Sequence, residues 1–378
     1  MPYYADGTKI NQDEWGRLIQ SIPTTYTVWV DGATIRGESN EDGGTDYSDP
    51  DASTVIQNCV TAVAGGGTVF IRDGSYTLTS KVTAVPTGIM RIISDGATLT
   101  PPASDYALEV DSGAPDAIEK RCMISGLRFN HTGTQTGSGI KIQDSYRTVI
   151  SDCSFEDLDN GIYLTDTTSN WTEGTMGYSL QFNDCSGAAI KFEQGTGGGS
   201  FANSHFTGVG VEMRTTGAVG LELIDGATMS HTVFDDCRFW SYADSSTQVS
   251  IDTNMKNVQF RGLVCESFVA GPAALIGISL GGNTMNIPIF IPYPFFTGSG
   301  TFSSNISNAG NEKYMVYDED VITLYNQSAG VDCEFDLSTG ILANLKNHAH
   351  SALSGTKKLV EIDIGGVPYY WEVYPTKA

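Results

Sequence analysis

Short runs in which apolar and polar residues alternate recur along most of the chain, each opened by a residue suited to a tight bend. A first motif has a turn residue, an apolar or small residue, one outward residue and usually an aromatic. Its copies are Gly126-Leu127-Arg128-Phe129, Asp152-Cys153-Ser154-Phe155, Asp184-Cys185-Ser186-Gly187, Asn203-Ser204-His205-Phe206, Asp236-Cys237-Arg238-Phe239 and Gly262-Leu263-Val264-Cys265. A second motif follows most of them: Gly139-Ile140-Lys141-Ile142, Gly161-Ile162-Tyr163-Leu164, Ala189-Ile190-Lys191-Phe192 and Val211-Glu212-Met213, with Gly220-Leu221-Glu222-Leu223 a further strand of this type. Period-2 alternation puts Cys153 and Phe155 inside with Ser154 outside, and Ile162 and Leu164 inside with Tyr163 outside. The interval between copies ranges from 19 residues (184 to 203) to 33 (203 to 236). A unit of that size cannot bury its apolar face alone, so neighbouring copies must stack into one continuous core.

The flanks read differently. Asp13 to Ile19 predicts a short helix, and Tyr26 to Val30 followed by Asp31-Gly32 predicts a hairpin arm. Residues 41–46 read as a loop. Asp51 or Ser53 caps a helix whose Val55, Ile56, Cys59, Val60 and Val63 share one face. Gly65-Gly66-Gly67 ends it, Thr68 to Ile71 starts a strand, and Asp73-Gly74-Ser75-Tyr76 makes the next corner. Beyond residue 286 the register fades, because three prolines between 286 and 294 remove ladder donors. Strands return at 315–317, 321–325, 359–364 and 369–374, the last two joined by Gly365-Gly366. The expected organisation is an arm at 1–50, a solenoid at 51–285 with a capping helix at 51–64, and a C-terminal β-domain at 286–378. That last domain would cover an open sheet edge and make subunit contacts.

The order of cap, helix, triple glycine, apolar strand and Gly74-Ser75-Tyr76 resembles the opening of pectin-lyase-like β-helix proteins. The segment from Tyr26 to Gly37 resembles the lead-in of β-helix proteins encoded by archaea and their viruses, and the whole resembles viral tail-spike or surface β-helix proteins. The resemblance implies an all-β, right-handed single-stranded parallel β-helix with an N-terminal helical cap and a C-terminal β-domain. Some relatives of this kind are polysaccharide lyases or glycoside hydrolases.

Composition narrows the partners. With 44 acidic and 21 basic residues the net charge is −23, which excludes nucleic acid as a partner, since backbone binding needs clustered Lys and Arg. No apolar run reaches the roughly 18 residues of a membrane span, so membrane insertion is not expected. The start, Met1 to Gly7, has neither a basic end nor an apolar stretch, as suits a virion protein assembled inside a cell, though a chain whose signal has been removed would look similar. Seven widely spaced cysteines, without Cys-x-x-Cys, read as buried thiols rather than as a disulfide framework or a zinc site.

Candidate chemistry is sparse. Asp152, Asp184 and Asp236, with Asn203, Gly126 and Gly262 in the same slot, read first as bend residues. Their alternative role is as acid and base on a glycan, or as ligands of a cation such as Ca2+. No other cofactor is expected. Asp235-Asp236 resembles the paired aspartates of β-helix polygalacturonases, but the rest of that pattern is missing; Arg238 could serve as a lyase base. Tyr163, Trp171, Trp240 and Tyr242 are candidates for stacking on sugar rings, or else for covering core and subunit contacts. His348 and His350 have the spacing of a metal pair on a strand, yet lack neighbouring ligands and read as a polar turn or contact. Glycosylation triplets begin at Asn130, Asn170, Asn305 and Asn326.

Three functions are compatible with these residues: a homotrimeric virion spike that recognises a cell-surface polysaccharide or glycoprotein glycan and joins other virion proteins through its arm, a polysaccharide lyase or glycoside hydrolase on the same scaffold, or a purely structural or adhesive surface protein of a cell or virion. The binding reading leads, and it places the protein at a virion surface or outside a cell.

Overall fold

The computed structural model describes residues 24–41, 46–113, 120–131, 133, 135–167, 171–195, 200–224, 228–251, 255–256, 258–280, 289–292, 295–308, 314–318, 321–326, 330–336, 358–364 and 367–373, with two-residue strands at 4–5 and 8–9. The repeated motifs wind into coils with three strand-bearing faces, every coil pairing in parallel with the next. The third face is a nine-stranded parallel sheet running from Val82–Ala84 to Ser304–Asn308. The first face begins with Thr24–Asp31, Gly67–Ile71 and Ile89–Ser94, and the second with Ser75–Thr77, Thr98–Thr100 and Arg128–Asn130. In three successive coils one long strand, Met176–Asn183, His205–Met213 and then Val233–Ser241, serves both faces and bends midway, and the next coil divides again into Gln259–Arg261 and Val264–Ser267. A parallel connection of this kind is right-handed because right-twisted strands return to the sheet only that way. The protein is a right-handed single-stranded parallel β-helix.

Inward residues form columns down the axis. Ile140, Ile162, Ile190, Leu221, Val249 and Ile278 lie in register on the third face, and all are buried. Phe129, Phe155 and Phe182 stack on the second face at 5.0 and 4.6 Å, while Phe206, Phe234 and Phe260 stack on the first at 5.6 and 5.1 Å. The rings fit because glycine faces them: a Cβ on Gly161 would lie 2.5 Å from Phe182. Cys59, Cys122, Cys153, Cys185, Cys237 and Cys265 are free and buried, as expected of thiols acting as small apolar residues.

In six successive coils the corner between the first and second faces is turned by a left-handed residue. Gly126 (φ +73°), Asp152 (+53°), Ser179 (+52°), Gly208 (+66°), Asp236 (+50°) and Gly262 (+61°) occupy it. Here the expected register is corrected. Asp184 (φ +55°) follows the second face beside Asp157 (+53°), and Asn203 (+56°) precedes the first face. The true copies in those coils are Ser179-Leu180-Gln181-Phe182 and Gly208-Val209-Gly210-Val211. Val211–Met213 accordingly belongs to the second face. All three kinds of corner favour Asp, Asn or Gly, so turn letters alone do not tell them apart.

Helix α1 (Ala52–Ala62) plugs the N-terminal end. Asp51 caps it by accepting the Ser53 N–H at 3.0 Å, and Val55, Ile56, Cys59, Val60 and Val63 are buried. The arm pairs as a hairpin, Thr24–Asp31 against Thr34–Ser39, and its first strand runs parallel to Gly67–Ile71 as the first rung of the solenoid. At the other end the parallel ladder carries past residue 285 through Ile289–Pro292, Phe295–Thr297, Ser304–Asn308 and Tyr314–Asp318. Antiparallel strands Val321–Asn326 and Gly330–Asp336 then follow, and Lys358–Ile364 pairs with Val367–Val373. The helix expected at 13–19 lies outside the described residues, as do His348 and His350.

Candidate functional site

Five of the expected site residues fall on one coil. Asp235 ends the first-face part of Val233–Ser241, Asp236 turns the corner, and Arg238 and Trp240 take successive outward positions on the second face. Tyr242 follows at the shoulder, where its backbone N–H donates to the Met213 carbonyl. Alternation forces this order, because Cys237 and Phe239 point into the core.

The neighbouring coils complete the strip. Glu212, Trp240 and Glu266 are in register, and one step on stand Arg214, Tyr242 and Phe268. Arg238 donates to the Glu266 carboxylate through Nε at 2.8 Å and through Nη2, and lies over the Trp240 ring at 5.0 Å. Arg214 pairs in the same way with Glu212 and sits 5.2 Å from the Tyr242 centroid. Tyr242 and Phe268 stack at 4.7 Å with planes 7° apart, yet remain 46% and 37% exposed. Exposed large aromatics in contact are worth explaining, since burial of both would be favourable. In coil order Arg214 stands on one side of Tyr242 and Phe268 on the other, so the strip presents ring edges, the tyrosine hydroxyl and the guanidinium N–H groups that are not engaged by Glu212 and Glu266.

The bend between the first two faces is concave in the coils that precede the strip. In the earlier coils it opens into a groove of ≈ 380 Å³ lined by Asp95, Arg128, Asp152, Ser154 and Gln181, among others. Asp236 and Arg238 extend the same columns toward the C-terminus. Asp152 and Asp236 are three coils apart, roughly 14 Å at the strand spacing, too far to act as one acid–base pair. Asp184 lies at the next corner, where its carboxylate accepts from Thr215 at 2.8 Å.

The other two aromatics lie elsewhere. Tyr163 is half-buried on the third face, stacked on Tyr106 at 5.8 Å and donating to Glu193 at 2.9 Å; burial pushes its hydroxyl up to about 12. Trp171 is 38% exposed beside Thr172, whose N–H donates to the carbonyl of Ser200, where the later coils add a fourth, three-stranded parallel sheet of Ser200–Ala202, Thr228–Ser230 and Met255–Lys256. Sequence reasoning missed Phe268, Arg214 and Tyr106. The first two had a usable signal: each stands three residues after an inward second-face residue, as Tyr242 does after Phe239. Asn130, at the first glycosylation triplet, donates to Glu156 at 3.0 Å.

Among the described residues no three His, Cys, Asp or Glu side chains form a metal-binding group, and no helix is long and apolar enough to cross a membrane. A family model described as "Right handed beta helix region" matches residues 47–239. No curated protein matches the chain. Similar solved structures include the ORF18 protein of Geobacillus virus E2, at 15% identity and a TM-score of 0.39 over 72% of this chain and 61% of that one. The iota-carrageenase of A. fortis aligns at 15% identity and 0.40 over 60% and 54%. A tailspike of Acinetobacter baumannii bacteriophage Fri1, a capsular polysaccharide depolymerase, aligns at 12% and 0.36 over 72% and 66%. The chain thus spans less than two thirds of each of these proteins. Similarity at this level carries no inference about activity.

Proposed function

We propose that this chain, which belongs to the right-handed β-helix family, is a virion surface or spike protein that holds a host cell-surface glycan against the strip around Trp240 and Tyr242. The observation that carries the reading is the exposed Tyr242–Phe268 pair flanked by Arg214. Ring edges supply apolar contact for sugar C–H groups, and the guanidinium groups of Arg214 and Arg238 supply fixed donors for hydroxyls. A rigid solenoid keeps those groups at coil spacing, so a polymer with repeating residues can run along several coils. In this reading the chain assembles as a homotrimer, and residues 1–50 join it to other virion proteins.

The test is a glycan array probed with the purified chain and with Tyr242→Ala and Phe268→Ala, alongside its mass by light scattering. Each variant is expected to weaken binding roughly five- to tenfold, from about 1 kcal/mol of aromatic contact. Unchanged binding by both variants, or no bound glycan, would reject the site; a monomeric mass would reject the spike.

The groove at this bend in the earlier coils, whose columns Asp236 and Arg238 continue, favours a second reading, in which Asp235, Asp236 and Arg238 cleave the polysaccharide. Release of reducing ends or of unsaturated products by the intact chain, with and without added calcium, and its loss in Asp235→Asn/Asp236→Asn, decides between binding and cleavage.

A further inference from the structure

Alongside the third face lies an open cavity of ≈ 330 Å³ lined by Ser104, Asp105, Tyr106, Gln135, Ser138 and Asp159, among others. Its size falls in the range of small-molecule sites, roughly 300–1,000 Å³. Its walls are fixed by hydrogen bonds between coils. Ser104 N–H donates to the Thr136 carbonyl at 2.7 Å, Ser138 N–H to Asp105 at 2.8 Å, and Asp159 N–H to Gly137 at 2.8 Å. Gly137 is wedged so tightly that a Cβ would stand 2.7 Å from Pro101 and 2.9 Å from His131. Two non-glycine residues of the lining, Ser104 (φ +60°) and Gln135 (φ +48°), hold left-handed backbone. Such conformations persist where the surroundings over-determine them, and they cluster at binding sites.

The lining has a definite chemistry. Tyr106 is backed by the parallel ring of Tyr163. Burial pushes its hydroxyl up, so it stays a neutral donor. Asp105 is oriented by accepting the Tyr106 N–H at 2.8 Å, and Asp159 by accepting from Asn160 Nδ2 at 2.8 Å. The remaining lone pairs of both carboxylates are placed to accept from ligand hydroxyl or amine groups. No Lys or Arg is among the described lining residues. A carboxylate or sulfate ligand would meet two negative groups on a chain of net charge −23.

We infer that this cleft is a second saccharide site, distinct from the strip around Trp240 and Tyr242, and that it takes a neutral or amine-bearing sugar residue while rejecting uronic and sulfated ones. The ligand class rests on the glycan reading above; the residues do not overlap with it.

The experiment is saturation-transfer NMR on the full chain with a panel of neutral, amine-bearing and acidic oligosaccharides, repeated for Tyr106→Ala, Tyr106→Phe, Asp159→Asn and Tyr242→Ala. Binding of neutral or amine-bearing members should weaken about tenfold in Tyr106→Ala and Asp159→Asn, as expected for loss of a charge-assisted hydrogen bond or a ring contact. Tyr106→Phe keeps the stack on Tyr163 and serves as the folded control, with a smaller loss. Tyr242→Ala should leave this binding in place. Wild-type affinity in the Tyr106→Ala and Asp159→Asn variants overturns the inference, as does a preference for acidic members that depends on Tyr106. Loss in Tyr242→Ala alone overturns the cleft while supporting the strip, and binding of no member rejects both.

Discussion

Replacing Gln57 tests how the solenoid's open end is closed. The third face starts at Val82–Ala84, and its outer edge would leave backbone groups unpaired. Gln57, on helix α1, imitates the missing strand: its Nε2 donates to the Thr83 carbonyl at 3.0 Å, and its Oε1 accepts the Thr83 N–H at 2.7 Å. Each bond contributes about 0.5–1.5 kcal/mol net, so Gln57→Leu should cost roughly 1–3 kcal/mol. Gln57→Glu keeps an acceptor for the N–H but loses the donor, and should fall about midway. Urea denaturation reads the global loss, and hydrogen exchange at the Thr83 amide reads the local one. Because Thr83 is only half-buried, water replaces part of each bond, which places the expected value in the lower half of the range. If Thr83 exchange is unchanged in Gln57→Leu, the side chain is not closing the edge. A loss equal in the leucine and glutamate variants would likewise refute the bond-by-bond reasoning.

Other residues yield sharp expectations. Gly161→Ala drives a Cβ to 2.5 Å from Phe182 and 2.6 Å from the Ala189 carbonyl, so it should destabilise by about 1–3 kcal/mol in urea melts. At the first corner Asp152→Gly should leave stability within about 0.5 kcal/mol, whereas Asp152→Val should lose about 1–2 kcal/mol from its left-handed backbone. Glu109 is buried and would be pushed up by desolvation, but hydrogen bonds from Lys81 (2.8 Å) and Lys141 (2.9 Å) outweigh burial and hold its carboxyl below the ordinary range. A lowered native pKa means stability that is present above the unfolded value and lost as pH falls through the native one. Glu109→Gln should therefore be less stable than the wild type at pH 7, with the gap in urea midpoint closing as the pH drops below about 4. A gap that persists at acid pH would show that the ion pairs are not its source.

The sequence by itself determined the local grammar of this protein. Alternation at Cys153-Ser154-Phe155 and Ile162-Tyr163-Leu164 set which side chains enter the core. The apolar face of residues 55–63, with Asp51 before it, set the helix, and Asp31-Gly32 set the hairpin. These features depend on neighbours in the chain, so they are legible in it. Which coil position each motif occupies was not legible. Asp152, Asp184 and Asn203 carry similar signals because every corner asks for the same left-handed backbone, and Ser179 carries the corner without a turn letter. Only stacking decides, since register is chosen by packing an inward residue on the one below, as Phe155 lies on Phe129. The same holds for the sites. Tyr242 and Phe268 are 26 residues apart in the chain and 4.7 Å apart in space. The cleft gathers Asp105, Gln135 and Asp159 from three coils. A solenoid turns a coil-length separation into one strand spacing, and that spacing exists only once the coils have stacked.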